Sequence, residues 1–426
     1  ANWQSVEAAE HHHDGLGDFL YHLHYFEPIP VVGIYLSGLV GVFFLLAIVT
    51  GIIVHWKKIR SNFFTFRLKA TIKNLWTDAH TALGVIGLPF QLMYAVTGAL
   101  FGLTILIFMP SVMLLFDGDQ EAMIGYVYPA YTTYELEGPL NQTTADASQE
   151  YLSVNKLVNE YLAEFKDEEI RYVNVSLQNY QDRNAHLLVM LDTEPKKRFY
   201  SQAYKIFRLR DGLVVREKGL DQNPHNESVV NFVHFIHFGS FGGYFIKGFY
   251  FIMALITCFV IISGVLVWLK ARDMKKYAAK AKFNTNVGAL YLGISLGLFP
   301  SIAFIFCLAK ILPLEMADRM TTMETIFFLF WLGYSVYSFI QKDYFKISRN
   351  AFALAGIIGL AVPVLNGIQT GMWFWQAIPM AYLDVAMIDI SWLVIGGVSI
   401  ATAYYMKPVI DKKKLKKQEA QVLEPA

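Results

Sequence analysis

The sequence predicts a polytopic α-helical membrane protein of about seven spans that carries a small extracytoplasmic α+β domain. Three observations predict it: an apolar composition, long charge-free stretches bracketed by lysine and arginine, and one polar insert between the second and third of those stretches. Of 426 residues, 55% are hydrophobic, 15% aromatic and only 17% charged, where an average soluble domain carries about 25% charged residues. Runs of roughly 18 or more residues without charge are long enough to cross a bilayer. Pro28 to Val54, Thr81 to Phe116 and Phe283 to Ala309 are such runs. A soluble enzyme, a disordered tail and a collagen-like rod are excluded, and the lipid bilayer is the first expected partner.

Basic residues in short loops mark the cytoplasmic side. Lys57, Lys58, Arg60, Arg67, Lys69 and Lys73 follow the first span, Lys270, Arg272, Lys275 and Lys276 the third, and Lys412 to Lys414, Lys416 and Lys417 the last. Lys342, Lys346 and Arg349 form a fourth basic loop. Seven spans then fit, near 29–55, 80–110, 243–269, 285–309, 323–341, 350–368 and 386–406, with the N-terminus outside and the C-terminus inside. The stretch 369–385, with Trp373, Trp375 and Tyr382, is expected along the outer interface as an aromatic belt. Residues 19–116 thus hold the first two spans, 229–282 the third, 283–406 four more, and 407–426 a basic cytoplasmic tail. The formal charge of +1 singles out neither nucleic acid nor an acidic ligand, and no nucleic-acid partner is expected. Cys258 and Cys307, the two cysteines, lie in apolar stretches and read as small buried side chains. A disulfide framework and a thiolate metal site are excluded.

Residues 117–228 form the polar insert, with nineteen acidic and twelve basic residues, and topology makes it extracytoplasmic. Val154, Leu157, Val158, Tyr161, Leu162 and Phe165 recur at helical spacing, and Arg171 to Leu177 alternates as a strand. Tyr204 to Arg210 and Leu213 to Glu217 flank Asp211-Gly212, a two-residue type I′ hairpin signal. The insert is either a docking platform or a solvated domain with no site of its own.

An internal repeat with an offset of 213 residues joins the flanks of this insert to the N-terminal part, 229–282 repeating 16–69. Phe19 matches Phe232, Leu23 Ile236, His24 His237, Thr50 Ser263, Gly51 Gly264 and Lys57 Lys270. Each copy keeps an outer histidine just before its span. The inner one is not kept, because Trp268 stands where His55 would be.

Six of the eleven histidines bear on chemistry, and topology sorts them into two layers: His22, His24, His234 and His237 at the outer face, His55 and His80 at the inner. Polar groups in the apolar zone are expensive and are usually functional or paired. Neutral imidazoles on facing helices can ligate haem iron from both sides, an arrangement suited to electron transfer. Two layers imply two haems, with His24 and His237 the favoured outer pair and His55 and His80 the simplest inner pair. A span of about 25 residues covers roughly 38 Å, so stacked haems would carry electrons across the bilayer. Gly51, Gly84, Gly87, Gly98 and Gly264 leave room for a flat ring, although small residues also let helices pack closely. His22 and His234 are further candidates, for ligation or for substrate. His11-His12-His13 followed by Asp14 reads as an exposed cluster with adventitious metal affinity, and His186 and His225 receive no role. No Gly-rich nucleotide fingerprint is present, so electrons are expected from quinol or a redox partner protein.

These residues resemble a known family. The outer histidine, the span with Thr-Gly or Ser-Gly, the small outer domain and the repeat, over roughly 16–280, resemble the PepSY-associated transmembrane family of bacteria. Asp78-Ala-His80-Thr-Ala-Leu-Gly84, continuing to Ala95-Val-Thr-Gly98, is similar to that family's recurring span opening, and 117–228 resembles its PepSY domain. The resemblance implies a multi-pass protein of the bacterial inner membrane with a periplasmic PepSY-like domain and a cytoplasmic C-terminus. It also implies haem b and a haem-dependent oxidoreductase delivering electrons to a ferric siderophore or another periplasmic acceptor. Family members usually begin with a further span and a first PepSY domain; residues 1–18 are expected to be the tail of such an incomplete outer domain. That span would supply an inner-face histidine, so His55 and His80 either pair together or one of them pairs with it. Two other functions stay open: a non-redox binding or regulatory protein acting through the outer domain, and a siderophore or haem uptake permease, against which stands the lack of a charged residue at mid-depth.

Overall fold

The computed structural model describes residues 15–57, 72–127, 151–178, 185–193, 202–222, 225–272 and 279–406. The His11–His13 cluster, most of the basic residues after the first span, Lys275 and Lys276, and the tail after Met406 lie outside the described residues. In hydrocarbon every backbone N–H and C=O must be satisfied within the chain, so the charge-free stretches become helices. In chain order these are α1 (Leu16–His24), α2 (Gly33–His55), α3 (Ile72–Ile86), α4 (Leu88–Gly102), α5 (Thr104–Leu115), α6 (Gln120–Val127) and α7 (Val154–Leu162). A four-stranded sheet follows, β1 (Ile170–Gln178), β2 (His186–Thr193), β3 (Gln202–Arg208) and β4 (Val214–Lys218). The chain then continues through α8 (His225–Phe238), α9 (Gly243–Ala271), α10 (Ala281–Ile311), α11 (Arg319–Gln341), α12 (Tyr344–Thr370), α13 (Phe374–Ala377) and α14 (Leu383–Tyr405). Among the described residues six helices are long and apolar enough to cross a membrane, or seven if the interrupted pair α3 and α4 counts as one. The protein is a multi-pass helical membrane protein.

The second span is not the single helix expected over 80–110. It is interrupted at Gly87, and Pro89 falls in the first turn of α4, where its missing N–H has no helical carbonyl to reach in any case. Leu103, off helical geometry at φ −112°, ψ 14°, marks a second interruption, and Pro110 sits inside α5.

The chain divides into two compact units. The first takes in Tyr25–Val54 and Leu88–Leu255. Its membrane part packs α2 against α4 through glycines: a Cβ on Gly41 would fall 2.8 Å from the Ala99 nitrogen. Met123 and Val127 of α6 close back on Val112 of α5, with Val230 of α8 beside them.

The polar insert folds around an antiparallel sheet in the order β1-β2-β3-β4, with Leu187 opposite Phe207 and Val189 opposite Lys205. Ser153 caps α7 by accepting from the Lys156 amide. Leu157, Val158 and Tyr161 of that helix pack on Leu187, Val189, Leu191, Ala203 and Phe207, while Leu188, Tyr204 and Ile206 form a smaller cluster. The β3–β4 connection is not the expected two-residue type I′ turn, which needs φ > 0 at both central residues. Only Gly212 has it, at φ +74°. Arg208 N–H instead donates to Leu213 O across the loop, and the register shifts between Ile206 and Phe207. The Asp211 carboxylate decides this, taking the Leu213 amide at 3.1 Å and the Arg208 guanidinium.

The second unit takes in Glu10–His24, His55–Gly87 and Ile256–Ala426. Its core is the helix set α10 to α14, in which α12 packs on both α10 and α14. Close approach needs small residues: a Cβ on Gly359 would meet the Trp392 ring at 2.9 Å, and one on Gly293 the Ser338 side chain at 2.7 Å. Phe19 of α1 is buried against Phe327 of α11, ring centroids 5.1 Å apart. Trp373 and Trp375 of the expected aromatic stretch stack 5.1 Å apart beside α13. Inside this bundle the Asn366 side-chain amide donates to Asp389 Oδ2 at 3.0 Å. The two residues are only 4% and 2% exposed. The sequence reading passed over this pair, because α14 begins at Leu383, which puts Asp389 about 9 Å inside the helix and not at its rim.

Candidate functional site

Four elements carry the six histidines. His22 and His24 close α1, which Phe19, Leu16, Leu20 and Leu23 anchor on α10 and α11. His55 ends α2 and is exposed. His80 lies within α3, and His234 and His237 lie in the last turns of α8. His24, His55 and His80 belong to the second unit and His234 and His237 to the first, so each is described among its own neighbours.

In the first unit the His237 Nδ1 lies 2.7 Å from the Thr97 hydroxyl of α4. Thr97 is only 1% exposed, and its hydroxyl donates to the Met93 carbonyl at 2.6 Å. Aromatic rings wall the imidazole: Phe101 at 5.1 Å and Tyr94 at 6.2 Å between centroids, both edge-on. Tyr94 donates to the Tyr250 carbonyl at 3.2 Å, and Tyr250 donates to the Ile236 carbonyl at 2.8 Å. These bonds tie α4, α8 and the start of α9 into one frame. Gly239, at φ +59°, makes the turn out of α8 under the Tyr250 ring. His234 shares the Phe101 ring at 4.6 Å, but its Nδ1 donates to Val230 O of its own helix at 2.9 Å. Gly98, beside Thr97, is partly enclosed, and a Cβ there would meet nothing within 4 Å.

The second unit repeats the motif. His80 Nδ1 lies 3.0 Å from the Ser263 hydroxyl of α9, and that hydroxyl donates to the Val260 carbonyl at 3.2 Å. Gly264 follows Ser263 as Gly98 follows Thr97. A Cβ on Gly264 would press on His80 Cε1 at 3.1 Å, so the imidazole lies against bare helix backbone. Asp78, two residues earlier on α3, is buried.

The structure therefore joins His237 to α4 and His80 to α9, contacts that no spacing along the chain announces. The sequence reading named the glycines of the Thr-Gly and Ser-Gly pairs and missed the hydroxyls beside them. The match of Thr50 to Ser263 across the repeat, and the recurrence of the pair at Thr97-Gly98, were the available signal. Thr50 turns its hydroxyl back on Leu46 O at 2.7 Å. Among the described residues no group of three or more His, Cys, Asp or Glu gathers as a metal-ion site; axial ligation of a haem iron asks only for single imidazoles.

A family model described as the PepSY-associated TM region matches residues 4–271. The chain belongs to this family. The PepSY-associated region takes in the first copy of the repeat, the second copy as far as residue 271, the sheet and all six candidate histidines, and it ends where α9 ends; α10 to α14 lie beyond it. No curated protein matches the chain.

The sheet domain of this PepSY-associated protein carries a polar cluster of its own. Lys205 contacts Glu164 at 2.7 Å and Glu217 at 3.2 Å and lies 4.9 Å over the Tyr161 ring. Partial burial of Lys205 favours its neutral form, but the hydrogen bonds to the two glutamates outweigh it and hold the ammonium above its ordinary pKa. Burial, then the charges of Glu164 and Glu217, push the Tyr161 phenol up. The cluster pins α7 to β3 and β4, a structural task.

Proposed function

We propose that this PepSY-associated protein is a membrane oxidoreductase that carries electrons through two b-type haems to an extracytoplasmic acceptor, a ferric siderophore or another ferric chelate. The observation that carries it is the pair of imidazole contacts between helices remote in sequence, His237 with Thr97 and His80 with Ser263, each beside a glycine. The surroundings fit a flat ring: the space in front of Gly98 is open, and Gly264 lets an imidazole lie on helix backbone. In this reading His237 and His80 would each hold a haem, with His24 and His55 as the further ligands and His22 and His234 as alternates. Bound there by two imidazoles, haem would supply one-electron chemistry, which suits transfer between partners over oxygen activation.

The chain's own residues have three tasks in this reading. Hydroxyls on the facing helices orient the imidazoles, and Phe101, Tyr94 and Tyr250 keep water from His237. The acidic outer domain presents the acceptor side, and quinol or a redox protein supplies the electrons. The basic segments orient it with the sheet domain periplasmic and the C-terminus cytoplasmic in the bacterial inner membrane.

The test is a reduced-minus-oxidised visible spectrum with a pyridine haemochrome assay on purified wild type and on His237→Ala, His80→Ala, His24→Ala and His55→Ala. Two haems b per chain are expected, with His237→Ala and His80→Ala each removing a different one. A colourless wild type would overturn the redox function and favour a binding role for the outer domain.

A further inference from the structure

We infer that Thr97 and Ser263 are positioning residues: their hydroxyls accept the Nδ1 proton of His237 and His80 and so fix each ring with its lone pair on Nε2. The inference rests on the haem reading for its purpose and on hydrogen-bond chemistry for its content. A hydroxyl has one proton to give, and a backbone carbonyl can only accept. At Thr97 the hydroxyl lies 2.6 Å from Met93 O, so its proton is committed there. The 2.7 Å contact with His237 Nδ1 then requires the ring to donate. Ser263 lies 3.2 Å from Val260 O and 3.0 Å from His80 Nδ1, and His80 also hydrogen-bonds the Val260 carbonyl; a carbonyl can only accept, so the ring donates toward this pair.

The consequence concerns the other ring nitrogen. A neutral imidazole has one donor and one acceptor nitrogen, and the bond made by the first decides which the second becomes. With Nδ1–H held, Nε2 carries the lone pair needed to bind a metal. Partners of this kind orient a ligand ring and raise its basicity, and removing them costs roughly 10- to 100-fold in metal affinity.

The arrangement occurs twice, once in each unit, on unrelated pairs of helices. It uses the hydroxyl of a Thr-Gly pair in one case and of a Ser-Gly pair in the other. The hydroxyl supplies the proton acceptor and the neighbouring glycine supplies space, so the dipeptide works as one element. His234 instead donates to Val230 O of its own helix, so its tautomer is set within α8, which separates it from the two tethered rings.

The test has two arms on the full chain in detergent. In haem-free protein with ¹⁵N-labelled histidine, long-range ¹H–¹⁵N correlations report which ring nitrogen is protonated. Wild type and Thr97→Ser are expected to hold His237 as Nδ1–H, and Thr97→Val to lose that preference; Ser263→Thr and Ser263→Ala are the corresponding pair for His80. Haemin titration then gives affinity, expected to fall roughly 10- to 100-fold in Thr97→Val and Ser263→Ala and to stay within about threefold in the hydroxyl-retaining variants. A Thr97→Val protein that keeps both the tautomer and the affinity would overturn the inference, as would equal losses in Thr97→Val and Thr97→Ser. If wild type takes up no haem, the oxidoreductase reading fails while the tautomer arm still decides the role of the hydroxyls.

Discussion

Gly38 and Gly102 meet backbone to backbone: a Cβ on Gly102 would fall 2.5 Å from both the Cα and the amide nitrogen of Gly38. Helices in lipid have no hydrophobic drive to associate and rely on close packing, so this contact sets how α2 lies on α4, the helix that carries Thr97. Gly102→Val is expected to lower stability by about 1–3 kcal/mol through overpacking, read as a lower apparent Tm in detergent. Gly397→Ala, where a Cβ would meet nothing within 4 Å, is the control and should leave the Tm unchanged. Equal Tm values for both variants would show that the Gly38–Gly102 contact holds nothing together.

The Asn366–Asp389 pair makes a second prediction. Removing one partner leaves a buried polar group unsatisfied, whereas removing both need not. Asn366→Leu alone is expected to cost about 1–3 kcal/mol, and Asn366→Leu with Asp389→Leu to recover most of that loss. A double-mutant cycle by thermal unfolding checks it. Additive losses would mean that the two side chains contribute separately and that their hydrogen bond does not couple α12 to α14.

What the sequence made legible divides along the same physical lines. Charge-free runs bracketed by lysines announced the spans, because lipid selects helices by composition alone; of the expected fourth basic loop, Lys342 stands between α11 and α12, while Lys346 and Arg349 lie in the first turns of α12. Strand β2 went unread: Leu187 to Leu191 is a short apolar run buried on both faces, and such a run has no period to distinguish strand from helix. The break at Gly87 was hidden inside an unbroken apolar stretch. Of the candidate site, the histidines were visible as polar residues in apolar surroundings. Their hydroxyl partners were not, since Thr97 meets His237 from 140 residues away and Ser263 meets His80 from 183, and only packing brings them together.

The hairpin tip gives a pH prediction. The Arg208 guanidinium first, and the Leu213 amide next, hold the Asp211 carboxyl down to about 2. A carboxyl whose pKa is lower in the folded chain adds stability above its unfolded pKa of about 4 and loses it as pH falls through the folded value. Hydrogen-exchange protection at Gly212 and Leu213 is therefore expected to hold from pH 7 to about 4 and to fall between 4 and 2. Asp211→Asn should lower protection at neutral pH and remove that step. A wild-type step centred near the ordinary carboxylate range would show that the Arg208 contact does not form in solution.

Gly98 separates the fold from the proposed haem site. A Cβ there meets no neighbour within 4 Å, so the side chain of Gly98→Leu starts into open space, and the expected outcome for the haem-free protein is a stability within about 0.5 kcal/mol of wild type, the range of substitutions that disturb no contact. The same side chain would enter the space beside the Thr97–His237 contact, next to the residues that would hold the proposed haem. The haemochrome assay should then find one haem lost per chain from Gly98→Leu while the His80 site keeps its own. Full haem content in Gly98→Leu would move the ring away from this face of α4, and a large drop in Tm would mean that the open space is closed by packing in the folded protein.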